Sequence, residues 1–223
     1  MDKKLFVQAL AKFFSGLLLS SALIFIPAGT TDYFGGRLFT AALFVPMFIA
    51  GIVMMLKAPE LLRKRLEMRE RQGEQKAVIA LSAAMFTAMF VCAGLSFRFG
   101  LLTLPRAAQI AAAFVFLLGY ALFAEVLREN AYLSRTVEVQ EDQKLVDTGL
   151  YGAVRHPMYS STLLLFLSMP LILGSLISFL ISLCYLPIIR KRILNEEKVL
   201  EEGLPGYVDY EKRVRWRLLP GVW

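Results

Sequence analysis

Residues Ser160–Ile189 read SSTLLLFLSMPLILGSLISFLISLCYLPII, an apolar block that contains no charged side chain. A helix needs about 20 apolar residues to cross a bilayer, so this block is too long for one simple span. Pro170 and Gly174 stand near its middle, where each would break or kink a helix. We predict a helix–turn–helix hairpin that dips into the membrane and returns, with arms of about 11–16 residues.

Four more apolar blocks precede the hairpin and have the length of membrane-spanning helices. They run at about Leu5–Ile26, Leu38–Leu56, Ala77–Leu95 and Ala107–Leu127. The 223-residue chain is 57% hydrophobic, whereas soluble domains are about 45–50% apolar. The first block follows Lys3 and Lys4 as in a signal peptide, but it lacks a small-residue cleavage pattern, and we interpret it as a retained span. The predicted fold is an all-α polytopic membrane protein, with four transmembrane helices followed by the hairpin and a cytosolic C-terminal helix.

The distribution of lysine and arginine predicts the orientation of these helices. If the N-terminus is inside and the four spans alternate, 21 of the Lys and Arg residues fall on one side. They lie within residues 3–4, 57–76, 128–156 and 190–217. The opposite connections hold three, namely Arg37, Arg98 and Arg106. The positive-inside rule therefore places both termini in the cytosol, and it also accounts for the net charge of +7, so we expect no nucleic-acid partner.

The stretch Gly149–Tyr159, GLYGAVRHPMY, stands where a polar segment ends and the hairpin begins. It contains His156, the only histidine of the chain. Pro157 suits the first turn of the following helix and keeps His156 extended, so a fixed backbone presents the imidazole. Polar side chains at the mouth of a membrane hairpin tend to mark a functional site. The alternative is a helix-start turn whose polar side chains only anchor the helix at the headgroups.

A second polar group follows the hairpin, where Arg190, Lys191 and Arg192 precede Glu196 and Glu197 by about one turn. Adjacent carboxylates on a helix point about 100° apart, so only one of the two can easily face a given pocket. The other can pair with an arginine of the preceding turn. By itself this pattern is also typical of a solvated charged helix.

Two further polar stretches each have two interpretations. Tyr207 and Tyr210 lie one turn apart and share a helix face, where they could stack on a flat ring, although anchoring in the headgroups is the favoured interpretation. In residues 57–76, Pro59 suits a helix start and several leucines form a partial apolar stripe. That stretch is consistent both with a helix lying on the headgroups and with a solvated loop.

Several classes of site are excluded by pattern. One histidine and two cysteines inside apolar blocks, Cys92 and Cys184, argue against a metal site or a disulfide, so we expect no metal. The chain has neither G-x-G-x-x-G nor the phosphate-binding G-x-x-x-x-G-K-[ST], and it lacks the G-x-S-x-G of serine hydrolases. Pattern and hydropathy together exclude a soluble Rossmann cofactor domain.

Taken together, these stretches resemble the integral-membrane methyltransferases, a group that includes isoprenylcysteine carboxyl methyltransferases and phospholipid N-methyltransferases. The family pattern consists of G-P-Y-x-x-V-R-H-P-x-Y-x-G, an apolar hairpin, E-E-x-x-L and a G-Y-x-x-Y segment before a short basic tail. It is matched at Gly149, Tyr151, 154–157, Tyr159, 196–197, Leu200, 206–207 and Tyr210. Leu150 and Ser161 depart from it, since the pattern has Pro and Gly there. Neither departure removes a polar contact, and the similarity covers about residues 125–217.

The resemblance implies S-adenosylmethionine as cofactor, with S-adenosylhomocysteine as product, bound on the cytosolic side between the hairpin and the C-terminal helix. It points to these cofactor-binding residues: Asn130, Tyr151, Arg155, His156, Pro157, Tyr159, Glu196, Glu197, Tyr207 and Tyr210. The chemistry is compatible, because the methionine part of the cofactor offers an ammonium and a carboxylate to acidic and basic partners.

For catalysis we predict roles for Arg190, Arg192 and Glu197. Methyl transfer is an in-line displacement that depends mainly on positioning. A carboxylate acceptor needs only a cation to orient it, which Arg192 or Arg190 could supply. An amine acceptor must lose a proton, which Glu197 or its neighbour Glu196 could accept.

A membrane location implies a lipophilic acceptor that enters laterally from the bilayer, and we expect a prenylcysteine-type carboxylate. The alternatives are N-methylation of a phospholipid amine, an NADPH-dependent membrane reductase similar to the sterol reductases, and a non-enzymatic membrane scaffold. We divide the chain into residues 1–76, two transmembrane helices with a basic cytosolic linker, and residues 77–223, the methyltransferase core. The expected location is the inner or plasma membrane of a prokaryotic cell.

Overall fold

The order of helices follows the predicted apolar blocks. The structure, a computed structural model, describes residues 3–66, 73–130, 132, 139 and 142–223. Within these residues the helices are α1 Lys3–Ala28, α2 Phe34–Lys57, α3 Pro59–Leu66, α4 Gly73–Phe99, α5 Arg106–Glu129, α6 Pro157–Ile172, α7 Leu176–Ser182, α8 Tyr185–Gly203 and α9 Tyr207–Arg213. A 3₁₀ helix, Gly149–Gly152, precedes α6. The prediction of an all-α fold is confirmed.

Four of these helices, α1, α2, α4 and α5, are long and apolar enough to cross a membrane. They coincide with the four predicted spans and extend each of them at both ends. Pro27 lies in the last turns of α1 and Pro46 lies inside α2, so neither ends its helix early. Apolar side chains of α1 such as Phe14, Leu18 and Leu19 are exposed, as expected for a surface that faces lipid. The chain is an integral membrane protein.

The predicted hairpin is formed by α6, a turn, and the return through α7 and α8. α6 continues past Pro170 to Ile172, and the chain reverses at Gly174, which has a φ of +74°. A Cβ atom on Gly174 would stand 2.6 Å from the amide nitrogen of Gln109 in α5. Gly174, rather than Pro170, is therefore the residue that makes the turn.

The turn is fastened to the connections at one end of the bundle, which we call the turn end. Tyr33, between α1 and α2, donates a hydrogen bond from its hydroxyl to the carbonyl of Leu173. Leu104, between α4 and α5, donates its backbone N–H to the carbonyl of Gly174 at 2.8 Å. The 16 residues of α6 correspond to about 24 Å of helix. The hairpin therefore reaches the far end of the bundle instead of stopping at mid-depth.

The core lies where α6 packs against the transmembrane helices. Phe39 of α2, Met89 of α4, Phe116 of α5 and Ile172 of α6 are each fully buried there. The close approach of α5 to α6 depends on Gly119, because a Cβ at that position would lie 3.0 Å from the Leu165 side chain. Small residues of this kind let membrane helices pack with their backbones close together.

The basic stretch after α2 begins as a helix, as the position of Pro59 predicted. α3 starts at Pro59, and its Leu62 is buried. Lys12 of α1 donates a hydrogen bond to the carbonyl of Leu66, so α3 is tied to the first span. The remainder of the stretch, residues 67–72, lies outside the described residues. Cys184, which lies in the last apolar block, is exposed.

We expect Gly174→Ala to destabilise the protein by about 1–3 kcal/mol, since alanine in a left-handed conformation is strained and its Cβ would meet Gln109. This corresponds to a Tm lower by about 2–4 °C per kcal/mol, measured on detergent-purified protein. The matched control is Gly51→Ala in α2, where a Cβ meets nothing within 4 Å. That change should leave Tm unchanged or raise it, because alanine favours a helix more than glycine does. Equal effects of the two changes would contradict the assignment of the turn.

Candidate active site

The two polar groups predicted from the sequence meet at the end of the bundle opposite the turn end, which we call the site end. Here the 3₁₀ helix, the start of α6, the C-terminal half of α8 and α9 surround a cavity of about 840 Å³, including the part that opens to solvent. Most of the predicted site residues line it: Asn130, Tyr151, Arg155, His156, Tyr159, Arg192, Glu196, Tyr207 and Tyr210.

The 3₁₀ helix is set by a contact with the end of α5. The carboxylate of Glu129 accepts a hydrogen bond from the backbone N–H of Leu150 at 3.0 Å. Gly149, with a φ of +55°, permits this approach, because a Cβ there would lie 1.7 Å from a Glu129 oxygen. The carboxylate of Glu129 lies so close to residue 149 that a side chain there would collide with it, which explains why this position is a glycine.

Tyr151, in the 3₁₀ helix, is held from two sides. Its hydroxyl accepts a hydrogen bond from the side-chain amide of Asn130 at 2.9 Å. Its backbone carbonyl accepts one from the hydroxyl of Tyr210 in α9 at 2.7 Å. The asparagine after α5 and the second tyrosine of α9 thus fix one wall of the cavity.

His156 caps the N-terminus of α6, and Pro157 is the first residue of that helix, as predicted. The φ of His156 is −125°, but its ψ of 61° is smaller than in extended backbone. The ring nitrogen Nε2 lies 3.1 Å from Oε1 of Glu197, and Nδ1 lies 3.8 Å from Oε1 of Glu196. Because an ionised carboxylate only accepts hydrogen bonds, Nε2 carries the hydrogen. The histidine is thereby oriented by Glu197.

Glu197 is enclosed by cations and does not line the cavity. Its side chain is 3% exposed, and Oε1 accepts hydrogen bonds from Arg155 at 3.0 Å and from His156. Oε2 accepts one from Nε of Arg217 at 2.8 Å. Burial raises the pKa of Glu197, but the hydrogen bonds from His156 and Arg217 and the charge of Arg155 outweigh it and lower the pKa to about 2. The carboxylate is therefore ionised and fully used inside the protein.

Glu196 has a different environment from its neighbour, since it lines the cavity and its side chain is 25% exposed. It accepts a hydrogen bond from the hydroxyl of Tyr159. That hydroxyl in turn accepts one from Nε of Arg192 at 2.9 Å. The sequence predicts that only one of two adjacent carboxylates faces a pocket, and the structure shows that it is Glu196.

Three predicted site residues lie away from the lining. Arg190 is exposed on α8, Pro157 forms the first turn of α6, and Glu197 is buried behind Arg155 and His156. A direct contact with a ligand in the cavity is thus available to Arg192 and Glu196, whereas Glu197 acts through its neighbours.

Sequence reasoning missed the segment that forms the opposite wall. Gln143, Lys144, Leu145 and Val146 line the cavity in a conformation that is neither helix nor turn. Tyr132, which lies in a turn, also lines the cavity. The peptide groups of residues 144–146 make no hydrogen bond to any residue that the structure describes. The segment has no apolar periodicity and no motif, so its only sequence signal is its position before Gly149.

The two tyrosines of α9 are buried in the protein, at 3% exposure for Tyr207 and 1% for Tyr210. The interpretation that they anchor in lipid headgroups is therefore wrong. The hydroxyl of Tyr207 is buried and has no hydrogen-bond partner among the residues that the structure describes. A buried polar atom without a partner is uncommon in proteins and asks for an explanation.

A comparison with known families covers the part of the chain that carries most of this site. A model of the family described as phospholipid methyltransferase matches residues 107–204, from the start of α5 to the end of α8. These residues are therefore similar to a family of integral-membrane methyltransferases. No individual curated protein matches the chain. The start of α6 and the polar half of α8 lie inside the match, whereas α1, α2, α9 and the residues after α9 lie outside it.

We expect Tyr207→Phe and Tyr210→Phe to change the stability of the ligand-free protein in different ways. The first removes a hydroxyl that has no partner, so Tm should stay the same or rise. The second removes the hydrogen bond to the carbonyl of Tyr151, which should cost about 0.5–1.5 kcal/mol or more and lower Tm. Thermal unfolding of both variants in the same detergent tests this. An equal loss in both would mean that the Tyr207 hydroxyl has a structural partner.

Proposed function

We propose that the protein is an S-adenosylmethionine-dependent methyltransferase that acts on a lipophilic acceptor at the membrane, with a prenylcysteine-type carboxylate as acceptor. The observation that carries the proposal is the cavity at the site end, where Arg155, His156, Arg192 and Glu196 stand side by side. The family match over residues 107–204 supports methyl transfer. Cofactor and acceptor are inferred from the chemistry of the cavity walls.

The cavity has two chemically different ends, which suit the two halves of the cofactor. At the charged end, hydrogen bonds and close contacts join Arg192, Tyr159, Glu196 and His156. At the apolar end, Leu145 and Leu200 pack with Leu204, Tyr207 and Tyr210. An amino-acid group, with one ammonium and one carboxylate, fits the first end. A nucleoside, whose flat base is largely apolar on its faces, fits the second.

The residues present fit S-adenosylmethionine. Glu196 is suited to hold the ammonium, and Arg155 or His156 to hold the carboxylate. The peptide groups of residues 144–146 and the hydroxyl of Tyr207 make no hydrogen bond to any described residue, so they are donors and acceptors suited to the edge of a purine and its sugar. When bound, the cofactor supplies an electrophilic methyl group on a sulfonium sulfur.

For a carboxylate acceptor, the protein needs to orient the nucleophile and does not need a base. Arg192 is the arginine of α8 that lines the cavity, and its Nε donates a hydrogen bond to the hydroxyl of Tyr159 at 2.9 Å. That hydroxyl is itself held by Glu196. A guanidinium oriented in this way presents a planar set of N–H groups, which suits it to bind a carboxylate and to limit its rotation. Arg190, predicted as an alternative, is exposed outside the cavity.

A second candidate is N-methylation of a phospholipid amine, which the description of the matched family favours. An amine acceptor must give up a proton, and Glu196 is the carboxylate that faces the cavity. Arg192 would then hold the phosphate of the headgroup. Both candidates therefore use Arg192 and Glu196. Arg192 matters more for a carboxylate acceptor, and Glu196 matters more for an amine acceptor.

We further propose that the site end faces the cytosol of a prokaryotic cell, so that the water-soluble cofactor enters from the cytosol and the acceptor enters laterally from the bilayer. That side carries 21 Lys and Arg residues against three on the other, which supports this orientation. We also propose that residues 77–223 form the methyltransferase core and that residues 1–76 add two further transmembrane helices to it.

We expect S-adenosylhomocysteine to raise the Tm of the purified protein and NADPH to leave it unchanged, since only a bound ligand stabilises the folded state. Stabilisation by NADPH alone would favour the reductase alternative and contradict the proposal. Tyr207→Phe should weaken S-adenosylhomocysteine binding by about five- to tenfold if its hydroxyl contacts the ligand. Calorimetric titration of both proteins measures this difference.

We expect labelled methyl groups to be transferred to a prenylcysteine analogue, and phosphatidylethanolamine to serve as the comparison acceptor. For a carboxylate acceptor, Arg192→Gln should lower kcat/KM by about tenfold or more and Glu196→Gln by less, because the cation orients the nucleophile. For an amine acceptor the order of the two variants should be reversed. Transfer to phosphatidylethanolamine alone would replace the first candidate with the second.

A further inference from the structure

The segment after α9, residues 214–223, which we call the tail, lies beyond the family match and yet contacts the centre of the site. The backbone N–H of Arg155 donates to the carbonyl of Trp216 at 2.9 Å. The backbone N–H of His156 donates to the carbonyl of Arg217 at 2.9 Å. The tail therefore runs alongside the two residues that present a guanidinium and an imidazole to the cavity.

The side chain of Arg217 is placed by the tail itself. The chain folds back so that the carbonyl of Trp223 accepts the backbone N–H of Arg217 at 2.8 Å and that of Leu218 at 2.9 Å. The guanidinium carbon of Arg217 lies 5.2 Å from the centre of the Trp223 ring. Its Nε donates to Oε2 of Glu197 at 2.8 Å. Arg217 is thus held between an aromatic ring and a buried carboxylate, an arrangement suited to a guanidinium.

The charges around Glu197 show what Arg217 supplies. Nη2 of Arg155 lies 2.8 Å from Glu197 and 3.3 Å from Oε1 of Glu211, so this one cation is shared by two carboxylates. Burial raises the pKa of Glu211, and the charges of Arg155 and Arg217 counteract this only in part. Arg217 adds the second positive charge and brings two arginines and two glutamates into balance. Without it, Arg155 would be shared by two carboxylates with no second arginine beside them, and Oε2 of Glu197 would lose its donor.

We propose that Arg217 is a positioning residue of the site: it holds Glu197, and through Glu197 it fixes the orientation of Arg155 and His156 at the cavity. The tail is then a functional part of the methyltransferase, although it lies outside residues 107–204. The effect on ligand binding rests on the proposed function. The effect on the orientation of the His156 ring does not rest on the proposed function, because that orientation can be measured without any ligand.

The ligand-free test uses the fact that His156 is the only histidine. In full-length protein with any tag removed and histidine labelled with ¹⁵N, the ring gives a single pair of nitrogen signals. We expect the wild type to show hydrogen on Nε2, the ring nitrogen that faces Glu197. Arg217→Gln should shift or broaden the ring signals, because Glu197 loses a donor that fixes its position. The groups that face this ring or Glu197 are Arg155, Tyr159, Glu196, Tyr207, Glu211 and Arg217.

The matched control is Arg213→Gln, four residues earlier. Arg213 is an exposed arginine that pairs with Asp147 at 2.7 Å and does not touch Glu197. This variant should keep the wild-type ring signals. Arg217→Lys is a second variant, which keeps the charge if Arg217→Gln fails to fold. It should restore the wild-type signals in part, since a lysine replaces the charge but not the planar Nε donor.

The ligand test is titration with S-adenosylhomocysteine. We expect Arg217→Gln to weaken binding by about tenfold or more, Arg213→Gln to stay within about twofold of the wild type, and Arg217→Lys to lie between them. Wild-type ring signals together with wild-type affinity in Arg217→Gln would overturn the proposal. If the wild type itself does not bind S-adenosylhomocysteine while the ring signals still change in Arg217→Gln, the proposed function fails and the positioning role stands.

Discussion

The site depends on the hydrogen bonds and ion pairs that the buried carboxylate of Glu197 makes. A glutamate side chain that is 3% exposed is stable only if cations and donors replace the water it has lost. Glu197 lies in α8, and its partners come from two other places in the chain: Arg155 and His156 before α6, and Arg217 in the tail. One buried ion cluster therefore sets the relative positions of the segments that form the cavity.

The hairpin makes this cluster possible. Gly174 reverses the chain at the turn end, so that the start of α6 and the polar half of α8 lie side by side at the site end. Apolar packing of α6 against α5, helped by Gly119, sets the distance between helices. Packing of this kind has no strong orientational preference, whereas hydrogen bonds to a carboxylate do. The apolar core thus brings the polar groups together, and the ion cluster orients them.

Glu196 and Glu197 have different surroundings because of their positions on α8. The helix turns about 100° per residue, so the two carboxylates cannot face the same surroundings. Glu197 points into the protein, where Arg155, His156 and Arg217 surround it, and Glu196 points to the cavity beside Tyr159. Two adjacent glutamates therefore provide a buried ion-pairing group and a group that faces the cavity.

The sequence by itself determined the spans, the hairpin and most residues of the cavity, because these depend on local length, hydropathy and spacing. It did not show which carboxylate faces the cavity, that Tyr207 is buried, or that residues 143–146 form one wall of the cavity. Each of these depends on how helices rotate and pack against segments distant in the chain. Arg217 is the clearest case: its pairing with Glu197 joins residues 20 positions apart, and only the fold of the tail brings the two charges together.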